Sequence, residues 1–308
     1  MSKPRSQLAD YAVYLAIRLF VCLVQALTVE TACSIASGLS WLVYRLDRRH
    51  RLVALDNLEA SFPNVHSPAS RAHLVREIYE HFCRLLIEII HLPRKLHLNN
   101  WSHYVRLQEA PALVDFLLSG RPLLLVTAHF GNWEMGGYIL GLLGFMIHAV
   151  ARPLDNPYLD AFLRKFRERT GHKLLSKRGD FEQMQQILLN GGVIATLGDQ
   201  DAGQRGLFVD FFGRPASTHK AIALLSLQYQ APILVMLPHN VGQPMHYVAG
   251  IDETILPEQY AGQADAVRSI TQRFTGALER KVRSYPAQYF WLHRRWKHQP
   301  TKSKRRVA

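Results

Sequence analysis

The chain of 308 residues carries 37 Lys+Arg against 24 Asp+Glu, a formal charge of +13, with 48% hydrophobic and 20% charged residues. That balance excludes a disordered chain, which pairs low hydrophobicity with high charge. Its 19 glycines and the absence of a sustained heptad exclude collagen-like and coiled-coil chains. Cys22, Cys33 and Cys83 are too few for a disulfide framework and read as small buried hydrophobes of a reducing compartment. The excess positive charge leaves three partners open: nucleic acid, an anionic membrane, or an acidic small substrate.

Residues 11–29 are almost wholly apolar, close to the ~20 residues that a membrane-spanning helix needs. Arg18 interrupts them, at a cost of roughly 2.5–3.5 kcal/mol on insertion scales unless it snorkels or finds a partner. A second apolar stretch covers 32–44 and ends in a basic cluster, Arg45, Arg48, Arg49 and Arg51. A signal peptide is disfavoured, because the arginine falls in the apolar region and Glu30 occupies the lipobox position before Cys33. Either the first segment spans a membrane or both segments lie in the interface as amphipathic anchors. The bland alternative is a buried helical hairpin. The basic cluster places the rest of the chain on the cytoplasmic side.

The helical spacing of Leu74, Ile78, Phe82, Leu85, Leu86 and Ile89 predicts a helix over 74–90, started at Ser67-Pro68 and stopped at Pro93. Beyond it, short β-rich runs at 123–126, 145–150, 193–197 and 233–237 alternate with candidate helices at 132–142, 156–170, 180–190 and 217–229. A late helix at 264–283 follows. Strands separated by helices predict an α/β fold with a mostly parallel central sheet flanked by helices. The chain divides into a helical membrane-associating region (1–100), an α/β body (101–296) and a basic tail (297–308). From Arg294 onward that end carries Arg294, Arg295, Lys297, Lys302, Lys304, Arg305 and Arg306 and no acid. Such a run is a solvated end, or a contact for anionic lipid at ~1 kcal/mol per basic residue. With no helix-turn-helix, zinc-finger or RNP signature, nucleic acid is the weakest partner.

The sharpest motif is Thr127-Ala128-His129-Phe130-Gly131-Asn132-Trp133-Glu134, directly after the apolar run Leu123–Val126. His129 therefore sits at the C-terminal end of a strand, where open α/β sheets place their ligands. Gly131 permits a tight turn, Asn132 is a good N-cap, and Glu134 falls in the first helical turn. The spacing lets the carboxylate fold back onto the imidazole, fixing its tautomer and stabilising the imidazolium. Such a histidine takes a proton from an attacking hydroxyl or amine, a contribution of ~10²–10⁴-fold. On spacing alone the bland reading weighs equally: His129 caps a strand and Glu134 answers the helix dipole.

No GxSxG elbow, phosphate loop, dinucleotide fingerprint or HExxH is present. The pairs His91/His97 and His239/His246 lack ligand spacing on one helical face, so no metal is expected. A base without a protein nucleophile points to direct transfer onto an acceptor.

The segment AHFGNWE resembles the His-x4-Asp/Glu motif of membrane-associated acyltransferases, in the form of the lipid A biosynthesis (lauroyl/myristoyl) acyltransferase family. Further blocks are similar to that family in collinear order: Asn57-Leu58 through Phe62-Pro63, Arg152-Pro153 with Asn156-Pro157, and Gly198-Asp199-Gln200-Asp201. Phe211-Phe212-Gly213, Pro215 to Thr218, and Tyr289 to Trp296 continue the series. The resemblance implies a glycerolipid-acyltransferase-like fold on the cytoplasmic face of a bacterial inner membrane. It implies His129 as general base, Glu134 as its orienting partner and no covalent acyl-enzyme. The acyl chain would move from an acyl carrier protein or CoA thioester, a co-substrate, to a hydroxyl of a phosphorylated glycolipid, a lipid A precursor, with no resident cofactor. The same superfamily acylates glycerolipids and mannosylated inositol lipids, which leaves the acceptor open.

For the remaining blocks chemistry suggests substrate contacts, each beside a plainer reading. Arg152, past a strand end, suits a phosphate or a carbonyl oxygen gaining charge, or forms a surface ion pair. Asp199 and Gln200 suit sugar hydroxyls or a simple turn, and Asn132, beside the base, suits a substrate contact or the helix N-cap. Phe211 and Phe212 suit an acyl groove or the core. Lys220 and Arg205 are candidate phosphate contacts.

Overall fold

A computed structural model describes residues 6–63, 67–176 and 180–300. The distal part of the basic tail, with Lys302, Lys304, Arg305 and Arg306, lies outside the described residues.

Four helices come first: α1 (Gln7–Gln25), α2 (Val29–Leu46), α3 (Arg48–Ser61) and α4 (Pro68–Lys95). Each begins at a side-chain cap: Ser6, Thr28, Asp47 and Ser67 accept from the amides of Ala9, Thr31, His50 and Ser70. These caps satisfy amides that the helix itself leaves without partners. α4 continues two residues past Pro93, because the ring falls in the last turn and Leu96 N–H still reaches Leu92 C=O. Only α1 is long and apolar enough to cross a membrane, by length and composition, among the described residues.

A short helical turn, α5 (Trp101–Tyr104), and strand β1 (Val105–Gln108) lead into α6 (Ala110–Leu118) and β2 (Leu123–Thr127). Then follow α7 (Trp133–Leu142), β3 (Ile147–Ala151), α8 (Pro157–Arg167), β4 (Lys173–Ser176), α9 (Phe181–Leu189) and β5 (Val193–Leu197). A hairpin, β6 (Leu207–Phe211) and β7 (Arg214–Thr218), precedes α10 (Ala221–Tyr229). Strands β8 (Ile233–Val235), β9 (His239–Asn240), β10 (Tyr247–Gly250) and β11 (Glu253–Ile255) and helix α11 (Ala266–Ser284) complete the chain.

Six strands form one sheet in the order β11-β8-β2-β5-β3-β4. β8, β2, β5, β3 and β4 run parallel, and β11 closes the edge antiparallel to β8. β1, β10 and β9 make a second, mixed sheet, and β6 with β7 a separate antiparallel ribbon. The α/β class stands: the central sheet is parallel but for its edge strand β11, while the sheets taken together are mixed. The missed strands are short or joined by tight turns, so no crossover helix announces them. The expected helix start at 217 is corrected for the same reason: residues 214–218 pair with β6, and α10 begins at Ala221.

Packing joins the helical segment to the body. Leu58, Val75 and Ile78 share one core with Val126, Ile233 and Phe274. Val29, Cys33 and Leu92 share another with Met135, Ile139 and Tyr247. Parallel strands all point their C-terminal ends at one rim, and that rim carries the sequence motifs.

Candidate active site

β2 is buried along Leu123–Val126, as a central parallel strand must be, and it delivers His129 to the rim. β5, hydrogen-bonded beside it, delivers Gly198-Asp199. The two loops meet. Asp199 Oδ2 accepts the backbone N–H of His129 at 3.0 Å, and Oδ1 lies 3.0 Å from His129 Nδ1.

The Asp199 carboxylate is fully buried. Burial pushes its pKa up, but the His129 charge and hydrogen bonds outweigh burial and hold the group at about 2. An ionised carboxylate only accepts, so the Nδ1 proton of His129 is the donor and the neutral ring keeps its lone pair on Nε2. Nε2 has no hydrogen-bond partner among the described residues, and the side chain is 21% exposed. Burial lowers the imidazole pKa, yet the Asp199 charge, its hydrogen bond and the Glu134 charge together raise it above the ordinary value. Trp133 packs edge-on against the ring at 5.2 Å.

The expected fold-back of Glu134 onto the imidazole is corrected. Its carboxylate takes both Nε and a terminal nitrogen of Arg167, which approaches from the end of α8. The cause is geometric: Asn132 caps α7 by accepting from Met135 N–H at 2.9 Å, so Glu134 leaves the first helical turn facing α8. It reaches His129 through its field alone.

The loop is held from three sides. Gly131 has φ +53°, and a Cβ there would meet Pro238 O at 1.7 Å, so only glycine fits. Its N–H donates to Gln288 O at 2.9 Å, and Phe290 N–H donates to His129 O at 2.9 Å. Tyr289, at the head of the segment Tyr289–Trp296, thus forms a single antiparallel bridge with Phe130 of the motif. Asn57 Nδ2 anchors that segment through Trp291 O at 2.8 Å and His293 O at 3.0 Å. Buried Arg295 joins it to β7 through Ser217 O and Thr218 Oγ1. Below, Asn132 donates to buried Glu88, which also accepts from Tyr247 Oη at 2.6 Å and Met245 N–H at 3.0 Å.

The other candidates separate. Gln200 and Arg205 are exposed on the loop after Asp199, and Lys220 is exposed at the start of α10. Arg152 is exposed and pairs with Asp155 at 3.4 Å. Phe211 and Phe212 line no open groove, a second correction. They are buried in an aromatic cluster, Phe211 stacked on Trp296 at 5.6 Å and Phe212 edge-on to Phe62 at 5.2 Å. The hairpin turn, with Phe212 at φ +58° and Gly213 at +72°, folds both rings inward.

Sequence reasoning missed Arg167, Glu88 and His293. His293 stacks on Phe290 and approaches Phe290 O at 2.5 Å and Asp199 O at 3.2 Å. His293 was present in the C-terminal block; Arg167 and Glu88 carry no local signal. Among the described residues no group of three or more His, Cys, Asp or Glu is gathered for a metal.

A histidine at a strand end, oriented by a buried aspartate and open at Nε2, is the arrangement of an α/β enzyme able to use a histidine base. The chain belongs to the bacterial lipid A biosynthesis acyltransferase family, whose profile matches residues 2–298, and it is an acyltransferase. It is 26% identical over 267 residues to the lipid A biosynthesis lauroyltransferase of Escherichia coli K12, covering 85% of this chain and 84% of that protein. It is 25% identical over 258 residues to the palmitoleoyltransferase of the same organism, covering 82% and 80%. The phosphatidylinositol mannoside acyltransferase of Mycolicibacterium smegmatis is 25% identical over 227 residues, 72% of each chain.

Proposed function

We propose that the protein transfers a fatty acyl chain from a thioester, carried by an acyl carrier protein or by CoA, to a hydroxyl of a lipid A precursor. The observation that carries this reading is the buried Asp199 carboxylate 3.0 Å from His129 Nδ1, which leaves Nε2 of the partly exposed ring without a partner among the described residues.

Nε2 takes the proton of the acceptor hydroxyl as its oxygen attacks the thioester carbonyl. The tetrahedral intermediate collapses, the C–S bond breaks, and the imidazolium returns the proton to the departing thiolate. No covalent acyl-enzyme forms, and the step draws on no resident cofactor. Asp199 orients the ring and stabilises the imidazolium, as the carboxylate of a His/Asp pair does. Glu134 adds a weaker field and, through Arg167, positions the first turn of α7. Arg152, Gln200, Arg205 and Lys220 are exposed donors suited to the phosphates and hydroxyls of a glycolipid headgroup. The reaction runs at the cytoplasmic face of the inner membrane, to which α1 and α2 attach the enzyme.

A second reading keeps the chemistry and changes the acceptor to a glycosylated phospholipid, favoured by the similarity to phosphatidylinositol mannoside acyltransferases. Both readings are tested by mixing purified protein with an acyl carrier thioester, acyl-CoA, lipid A precursor and a glycosylated phospholipid. Release of free thiol with a mass gain of one acyl chain on the lipid A precursor is expected. Acylation of the phospholipid alone supports the second reading, and no thiol release with any acceptor overturns both.

A further inference from the structure

The apolar N-terminus is ambiguous by composition, since a spanning helix and an in-plane helix look alike in a sequence. Its contacts separate the two. α1 touches the body at both ends and in the middle. Near its start, Asn156 Nδ2 donates to Asp10 O at 2.9 Å, while Asn156 Oδ1 caps α8. Midway, Tyr14 packs against Phe162 at 6.3 Å, and the Arg18 guanidinium lies over the same ring at 5.0 Å. At its end, Gln25 Nε2 donates to Ile90 O at 2.8 Å and Arg94 donates back to Gln25 O at 2.9 Å.

At 1.5 Å per residue the 19 residues of α1 extend about 28 Å, nearly the ~30 Å of bilayer hydrocarbon. Were α1 to cross a bilayer in this packing, α8 beside it would be carried into the hydrocarbon. Its Asp160, Arg164, Lys165 and Arg167 would then sit at hydrocarbon depth, stripped of the water that hydrates their charges. The Arg152–Asn156 loop and the end of α4 would also lie in opposite aqueous phases, although one folded unit holds both.

The outer faces supply the other half of the argument. Leu8, Leu15, Leu19 and Leu23 of α1 are exposed. So is a helical stripe of α2, Ile35, Leu39, Leu42 and Leu46, opposite its buried Val29, Cys33 and Ala36. Trp41 lies beside this stripe with Arg45 over its ring at 4.8 Å, and exposed Arg48 and Arg49 follow. An apolar face bordered by Trp and Arg matches the boundary between acyl chains and anionic headgroups.

We propose that α1 and α2 form a monotopic platform, lying in the plane of one leaflet of an anionic bilayer without crossing it. The start of α1 and the His129 rim then share one aqueous side. This rests on the membrane part of the proposed function but not on its chemistry. The test labels Gln7→Cys and, as a body reporter, Gln228→Cys, each in a Cys22→Ser background, with a membrane-impermeant maleimide. Right-side-out and inverted membrane vesicles are compared. Both cysteines are expected to react in the same vesicle preparation, with Gln7→Cys labelled at least tenfold less in the other. Gln7→Cys reacting from the face opposite to Gln228→Cys overturns the proposal, as does protein that fails to fractionate with membranes. The variant Leu19→Asp/Leu39→Asp is expected to bind phosphatidylglycerol vesicles at least tenfold more weakly with unchanged Tm; unchanged binding also overturns it. His129→Ala repeats the labelling, so a lost reaction with an unchanged pattern separates failed chemistry from failed topology.

Discussion

Asp199 and Glu134 are both acidic, both near His129 and both ion-paired, yet they do different work. Asp199 faces a titratable partner and is fully buried, so its charge is tied to the proton on His129. Glu134 faces a permanently charged guanidinium and meets the His129 charge through its field alone. The carboxylate seventy positions away in the chain orients the imidazole, while the one five positions away braces two helices. Sequence proximity is therefore a poor guide to the partner of a rim residue. Adjacent parallel strands bring their C-terminal loops together whatever the length of chain between them.

The sharpest break of this comparison begins with His129→Ala, expected to reduce kcat by ~10²–10⁴-fold while vesicle binding holds; full turnover in the purified variant removes the base from the mechanism. Asp199→Asn comes next, with a kcat loss expected at about 10²-fold or more through the wrong tautomer. It also reports on the proton. Asp199 raises the His129 pKa, so the wild-type activity limb lies above the ordinary histidine value of about 6.5, and the variant's limb moves to lower pH. An unmoved limb in a kcat/KM–pH profile would return the orienting role to Glu134.

The stability consequence has a definite sign. His129 has its pKa raised on folding, so its contribution is complete below the unfolded value and fades as pH rises through the folded one. Asp199 has its pKa lowered, so its contribution is complete above the unfolded carboxylate value and fades towards pH about 2.

Glu134→Gln sharpens the contrast from the other side. Loss of a half-buried charged pair is expected to cost about 1–3 kcal/mol in a denaturant melt, with kcat falling less than in Asp199→Asn. Asn57→Ala, which frees two carbonyls of the segment over the motif, is expected to cost a similar ~1–3 kcal/mol and to loosen amide exchange at Phe290. Smallest is Arg152→Ala: exposed and paired with an equally exposed Asp155, it should leave stability within about 0.5 kcal/mol and raise KM for a phosphorylated acceptor. An unchanged KM would remove Arg152 from headgroup binding.

The motif at 127–134 was readable from the sequence because its determinants are local: an apolar run, a glycine, an asparagine cap. Helices α1, α2, α4, α7 and α11 were readable for the same reason, each through apolar periodicity or an evident start. The hairpin β6–β7 and edge strands β9 and β11 were not, since their residues become strands only when a distant partner supplies the hydrogen bonds. The sequence leaves Phe211 and Phe212 between an acyl groove and the core, because an aromatic pair has no address of its own; the turn at Phe212-Gly213 decides that both rings face inward.

By itself, then, the sequence determined the α/β class, the histidine at a strand end, the apolar N-terminus and the family resemblance. Each follows from patterns within a few residues or from collinear blocks. The tertiary structure alone decided which acid orients His129, which arginine holds Glu134, and that α1 lies along α8. Those are contacts between strands and helices far apart in the chain, and a one-dimensional pattern carries no distance between them.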